Sequence, residues 1–130
     1  MAFQPRFPPA LNIPIARLSA LPVTAASTAI QHGAKPITLV MNNGRYGTIR
    51  MHQEKHYPGR VSGTMLANPD FAALARAYGG HGETVTDSAQ FADAFARAQA
   101  SNLPAVIELT IDPDALSTGT TLSGISTKRP

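Results

Sequence analysis

The run Pro36-Ile-Thr-Leu-Val-Met41, closed by Asn42-Asn43-Gly44, constrains this chain more than any other stretch. A continuous apolar, β-branched run without polar alternation describes a strand buried on both faces, the kind found inside a parallel sheet. Such a strand needs helices to cover it, so the flanking sequence has to supply them. We therefore expect an interior parallel strand over Pro36 to Met41. Asn42 to Gly47 then turn the chain, because Asn and Gly accept the positive φ that a sharp strand exit requires.

The flanks carry helix signals. Ala25, Ala26, Ala29 and Ile30 repeat at helical spacing between Thr24 and His32, and Gly33 can supply the left-handed residue that ends a helix. After a polar stretch from Thr48 to Gly63, Asn68 can cap a second helix, with Pro69 at its first position, Asp70 at the positive end of the dipole and Gly79 at its stop. Phe71, Leu74, Ala75 and Tyr78 would form its buried stripe. Gly82 to Thr86 is a short strand candidate. Asp87 and Gln90 predict a capping box for a helix to about Ala100, with Phe91 and Phe95 on its inner face. Pro104 to Ile111 is a further strand. This order predicts an α/β fold, a parallel sheet with helices on both faces.

At 130 residues there is material for one core. We expect an irregular Pro-rich leader over 1–23, a folded domain over 24–115 and a polar tail over 116–130. The leader holds five of the eleven prolines, which interrupt the apolar run that a signal peptide needs. No apolar run approaches the length of a membrane span. The absence of Cys excludes a disulfide framework, a thiolate metal site and a cysteine nucleophile, and fits a cytoplasmic setting. A net charge of +3 could suggest nucleic acid, but the eleven Lys and Arg are scattered from Arg6 to Arg129, so neither nucleic acid nor a membrane is an expected partner. The acidic residues are uneven: all eight lie at or after Glu54.

Ligands of open α/β sheets collect beyond the carboxyl ends of the strands, which is where Asn42-Asn43-Gly44-Arg45 falls. The amide oxygen of Asn43 and a main-chain carbonyl two residues later are hard oxygens suited to Mg²⁺, which could bridge to a diphosphate. Taken alone, Asn-Asn-Gly after a strand is mostly turn chemistry. The wider pattern says more: Tyr46-Gly-Thr-Ile-Arg-Met-His-Gln-Glu54, His56-Tyr-Pro-Gly-Arg60, Asn68-Pro-Asp-Phe-Ala-Ala-Leu-Ala75 and Pro104-Ala-Val-Ile-Glu-Leu109 follow in this order. Together these residues resemble the C-terminal thiamine-diphosphate-binding domain of enzymes of the acetolactate-synthase and benzoylformate-decarboxylase kind, over about Ala29 to Leu122.

The resemblance implies thiamine diphosphate and Mg²⁺ as cofactors. Asn43 would offer its side-chain oxygen and Arg45 its main-chain oxygen to the metal, while Tyr46, Gly47, Thr48 and Ile49 line the diphosphate and thiazolium region. The implied substrate of the complete enzyme is a small 2-oxo acid, decarboxylated or carboligated, in a homo-oligomer or with a complementing chain. No residue is assigned as catalytic: Ile49 falls where pyruvate-decarboxylase-like members place a Glu. The metal-binding Asp of the family's Gly-Asp-Gly should fall near Ala16-Arg17, where the sequence reads Ile15-Ala-Arg-Leu18. Together with the family's separate domain that carries the activating Glu, this predicts a truncated or frame-disrupted domain inactive alone. The alternative is a non-catalytic remnant or interaction subunit.

Other candidates carry plainer readings. His32, His52, His56 and His81 match no zinc spacing. Arg50, Lys55 and Arg60 read as solvated charges, and Phe71, Tyr78, Phe91 and Phe95 as core. Tyr46 and Tyr57 beside Arg45 and Arg60 could stack on single-stranded nucleic acid, but no recognised module surrounds them.

Overall fold

The computed structural model describes residues 24–117 and 119–126, so the expected leader over 1–23 and the Ala16-Arg17 position lie outside the described residues. In chain order the elements are α1 (Thr24–Gln31), β1 (Ile37–Asn42), α2 (Gly47–His56), α3 (Phe71–Ala77), β2 (His81–Val85), α4 (Phe91–Ala100), β3 (Ala105–Thr110), β4 (Ala115–Ser117), β5 (Thr120–Thr121) and α5 (Leu122–Ser126). They fall into two compact units, one of 24–41 and 69–110 and the other of 42–68 and 111–126.

The first unit is the α/β sheet that the sequence predicts. Its strand order is β1-β3-β2. β2 and β3 pair in parallel from His81 opposite Ala105 to Val85 opposite Leu109. The Pro36 carbonyl accepts from Ala105 N at 2.8 Å and the Asn42 carbonyl from Ile111 N at 2.8 Å, an equal advance along β1 and β3 that makes them parallel too. Successive strand residues point to opposite faces. A Cβ on Gly82 would meet the Ala72 carbonyl of α3, whereas the neighbouring Glu83 reaches Arg97 of α4, so the two helices cover opposite faces of β2.

The interior position belongs to β3, not to β1. Ile107 and Leu109 are wholly buried, Glu108 between them is buried as well, and β1 is a half-buried edge strand with Met41 exposed by 53%. The apolar run of β1 reports burial between layers, but a position within the sheet depends on which strands pair with it, and that is not written locally.

Helix starts and stops follow local chemistry. Gly33, at φ +65°, closes α1 through its N–H to the Ile30 carbonyl and the Ala34 N–H to the Ala29 carbonyl. The Asp87 and Gln90 capping box forms in both directions over a short 3₁₀ turn, Ser88–Gln90, that leads into α4. α3 is capped by Asp70 instead of Asn68: the Asp70 carboxylate accepts from Ala73 N at 2.7 Å. Gly79, at φ +80°, ends it as expected.

The helix faces are smaller than the predicted stripes. Ala72 and Ala75 are the buried residues of α3 and Ala94 and Ala98 those of α4. Phe71, Leu74, Phe91 and Phe95 are half-buried at the margins, the two Phe rings 5.9 Å apart. Tyr78 is 38% exposed because it is the C-cap, outside the helical face. At Gly82 the reason is explicit: a Cβ would stand 2.1 Å from the Ala72 carbonyl oxygen, so helix and strand touch backbone to backbone and admit no large side chain.

The second unit contains α2, the antiparallel β4–β5 hairpin and α5, with α5 and β4 packed against α2. Both ends of this unit escape the sequence reading. α2 lies almost wholly in the polar stretch from Thr48 to Gly63, where the sequence predicts no helix, because the residues it buries are Arg50 and Glu54, an i, i+4 ion pair in place of an apolar stripe. Arg50 is therefore not the solvated charge expected. β4, β5 and α5 fall within or next to the expected tail, and are too short to display a period of 2 or 3.6 residues. The Asp114 carboxylate anchors α5, accepting from Ser123 N at 3.0 Å and Ser123 Oγ at 2.6 Å. That side-chain bond, then the backbone bond and the charge of Arg45, hold the Asp114 carboxyl below the usual range.

Two outcomes test this packing. Gly82→Ala should lower the unfolding free energy by about 3 kcal/mol or more in denaturant titration, as overpacking against rigid backbone does. Glu83 accepts from Arg97 Nε at 3.0 Å and Nη2 at 2.7 Å and contacts His81 Nε2 at 2.7 Å. The Arg97 bond, above all, holds its carboxyl below the usual range. A depressed carboxylate contributes stability above its unfolded pKa, about 4.3, and loses it as pH falls through the folded value. The stability difference between the chain and Glu83→Gln should thus be present at neutral pH and vanish in acid. A difference that persists in acid contradicts the assignment.

Candidate functional site

β1 ends on two consecutive Asn whose side chains fold back on the chain. Asn42 Oδ1 accepts from Gly44 N at 3.0 Å and Asn43 Oδ1 from Arg45 N at 3.2 Å, two overlapping Asx turns that reverse the strand. Gly44 sits at φ +64°, where a side chain is strained. Asn42 Oδ1 also accepts from Asn68 Nδ2 at 2.8 Å, so Asn68 serves the turn and not the helix cap that its sequence position predicts.

Arg45 pairs with Met65 in an isolated antiparallel bridge. Its bonds run from Tyr46 N to the Thr64 carbonyl and from Leu66 N to the Gly44 carbonyl, each 2.9 Å. The bridge therefore uses the groups on either side of Arg45 and leaves its own carbonyl outside. The first bond of α2 runs from Arg50 N to the Tyr46 carbonyl, so the helix leaves the Arg45 carbonyl outside as well. This carbonyl and the second lone pair of Asn43 Oδ1 are oxygens of the turn able to take a hard cation.

α2 begins at once, at Gly47. Its N-cap, Tyr46, makes no side-chain capping bond, so the N–H groups of Gly47, Thr48 and Ile49 open the helix without intrahelical partners and with the positive end of the dipole behind them. A Cβ on Gly47 would come within 2.9 Å of Asn43 Nδ2; the absence of a side chain there is what lets the Asn43 amide lie over the helix start. The sequence-predicted residues Asn43, Arg45, Tyr46, Gly47, Thr48 and Ile49 are thus contiguous, with Asn43 and Arg45 half-buried, and Tyr46 and Ile49 exposed by 51% and 54%.

Three features of this region were not legible. Asn42 and Asn68 form the contact that holds the turn, and Thr64 supplies the bridge; these pairs are distant in sequence, and only the Asn doublet hinted at them. Charge is the second. Among the described residues no group of three or more His, Asp or Glu converges as a metal-ligand set, and the acid whose charge reaches Arg45 is Asp114, already bonded to Ser123. Thirdly, Arg45 Nε, Arg50 Nη1 and Thr64 Oγ1 are buried without hydrogen-bond partners. Each such group costs about 1 to 3 kcal/mol if left unsatisfied. The donor chemistry fits a diphosphate at the start of α2 and two neutral oxygens of a Mg²⁺ shell, but contributes no anionic ligand.

Asn42→Ala should lose about 1 to 2 kcal/mol of stability, since two donors lose their acceptor. Gly47→Ala should shift the Asn43 side-chain amide resonances in NMR spectra while leaving those of β2 and β3 in place. Unchanged Asn43 resonances contradict the contact.

Residues 19–109 match the family described as thiamine pyrophosphate enzyme, C-terminal TPP binding domain. The chain is 34% identical over 86 residues to a probable acetolactate synthase of Mycobacterium bovis, an alignment that covers 66% of this chain and 16% of that protein. It is 35% identical over 79 residues to the acetolactate synthase isozyme 2 large subunit of Escherichia coli, covering 59% of this chain and 14% of that protein. With the catalytic subunit of the mitochondrial acetolactate synthase of Aspergillus candidus it shares 31% over 90 residues, 69% of this chain and 13% of that one. The chain thus spans about one sixth of the length of the curated relatives it matches. The match covers most of the chain and the parallel sheet is consistent with it: the chain belongs to the C-terminal TPP-binding domain family of thiamine pyrophosphate enzymes.

Proposed function

We propose that this chain is the diphosphate- and Mg²⁺-binding portion of a thiamine-diphosphate-dependent enzyme of the acetolactate-synthase kind, acting on small 2-oxo acids in the cytoplasm. The observation that carries the reading is the second lone pair of Asn43 Oδ1 and the uncommitted Arg45 carbonyl, set beside the uncapped start of α2. A helix start of this kind is suited to phosphate oxygens, and amide and carbonyl oxygens are suited to Mg²⁺. The cofactor, when bound, supplies the electron sink for decarboxylation or carboligation. The chain's own work is to hold and orient it. Asn43 and Arg45 would hold the metal, Gly47 keeps the Asn43 amide close to the helix start, and exposed Tyr46 and Ile49 would offer apolar surface to the cofactor.

The same site argues for a partner. Its oxygens are neutral, its three buried donors lack acceptors, and Tyr46, Ile49, Tyr57, Val61 and Met65 expose apolar surface. We infer that the chain acts in a homo-oligomer or with a complementing chain that supplies a carboxylate to the metal and the acid that activates the cofactor, and that it does not turn over substrate alone. The second reading, a non-catalytic interaction subunit, draws on the same exposed residues. Among the described residues no helix is long and apolar enough to cross a membrane.

Isothermal titration with thiamine diphosphate and Mg²⁺ separates the two readings. The proposed function predicts weak, Mg²⁺-dependent binding by the full chain, reduced roughly tenfold or more in Asn43→Ala. Absence of binding, or binding indifferent to Mg²⁺ and to Asn43, favours the interaction subunit.

A further inference from the structure

Outside the cofactor turn, one pair of side chains has the geometry of a ligand site that the proposed function does not use. His52 and His56 occupy i and i+4 on α2, both exposed, with ring centroids 6.4 Å apart and planes inclined by only 10°. Residues at this spacing are neighbours on one side of a helix. Of the residues between them, Glu54 is buried and turned to Arg50, Gln53 is bound to Ser62 through Nε2 to the carbonyl at 2.7 Å, and Lys55 is exposed and, as an ammonium, is no metal ligand. A metal held at about 2.1 Å by one nitrogen of each ring requires ring centres roughly 5 Å apart and in-plane lone pairs that converge, so the near-parallel rings must both close and turn about their side-chain torsions to bind it.

We propose that His52 and His56 form a two-imidazole site for a divalent transition metal on the exposed side of α2, water completing the coordination. Ligand chemistry separates it from the cofactor turn: imidazole selects Cu²⁺, Ni²⁺ and Zn²⁺, whereas the amide and carbonyl oxygens of Asn43 and Arg45 select Mg²⁺. The sequence reading sets these histidines aside because four scattered His match no zinc motif; the helix through 47–56, not seen in the sequence, is what brings two of them together. A metal bridging the pair joins successive turns of the helix that starts at the cofactor turn, so it should also suppress fraying of that helix.

The test is titration of the full, untagged chain with Ni²⁺ and, separately, Zn²⁺, without thiamine diphosphate, followed by calorimetry and by amide hydrogen exchange. The expected result is one metal per chain and slower exchange in residues 50–57. His52→Ala and His56→Ala should each weaken binding at least roughly tenfold, since even an outer-shell partner is worth about that much. His32→Ala and His81→Ala should leave it unchanged, and excess Mg²⁺ should not compete. Because Ala is the best helix former, neither α2 variant should unfold the helix, and circular dichroism of each variant checks this. No binding by the folded chain, binding that survives either α2 substitution, or binding lost only with His32 or His81 would overturn the proposal.

Discussion

The acceptor role of one oxygen, Asn42 Oδ1, organises the region on which the functional reading rests. It receives Gly44 N and Asn68 Nδ2, and with that the strand exit is fixed. Gly44 can then adopt its positive φ, and Asn43 can close its own turn on Arg45 N. Arg45 meets Met65 through its neighbours' backbone groups, and α2 starts at Gly47 with Asn43 against it. A β1 exit held less firmly would leave Asn43 as an ordinary turn residue. What distinguishes this turn is that the groups useful to a ligand, the Arg45 carbonyl and the first N–H groups of α2, are the ones its own hydrogen bonds leave out.

How much of this was legible depends on whether the signal is local. Capping chemistry is local: the Asp87 and Gln90 box and the Gly33 and Gly79 stops are where side-chain and φ preferences put them. The parallel sheet with helices on both faces followed from the order of elements. Position within the sheet did not, since β1 is as apolar as β3 and only the pairing puts β3 at the centre. α2 was hidden for a different reason. Hydrophobic periodicity finds a helix by its apolar side, and this one buries Arg50 against Glu54. Of the candidate site, Asn43 and Arg45 were expected from the family pattern and the structure brings them into one turn, while Asn42, Asn68 and Thr64 act through contacts that span long stretches of chain.

The Arg50 and Glu54 pair also bears on how complete the site is. A buried ion pair stabilises only when its remaining hydrogen-bonding groups are met. Glu54 also accepts from Gly59 N at 3.3 Å, but Arg50 Nη1, like Arg45 Nε and Thr64 Oγ1, has no acceptor. Three unmet donors on and around the helix that follows the β1 turn, together with exposed Tyr46, Ile49 and Met65, underlie the proposal that further protein covers this surface. That is the physical basis for expecting a partner, and it does not depend on the chain's length relative to its relatives.

The central claim, that the turn between β1 and α2 is a diphosphate and Mg²⁺ site, is tested most directly by two-dimensional NMR of the full chain during titration with thiamine diphosphate and Mg²⁺, a measurement sensitive to weak binding. The account predicts progressive shifts of the Gly47, Thr48 and Ile49 amides and of the Asn43 side-chain amide, larger with Mg²⁺ than without, while residues 81–110 stay in place. Shifts centred elsewhere, or spectra unchanged at saturating cofactor, would contradict it.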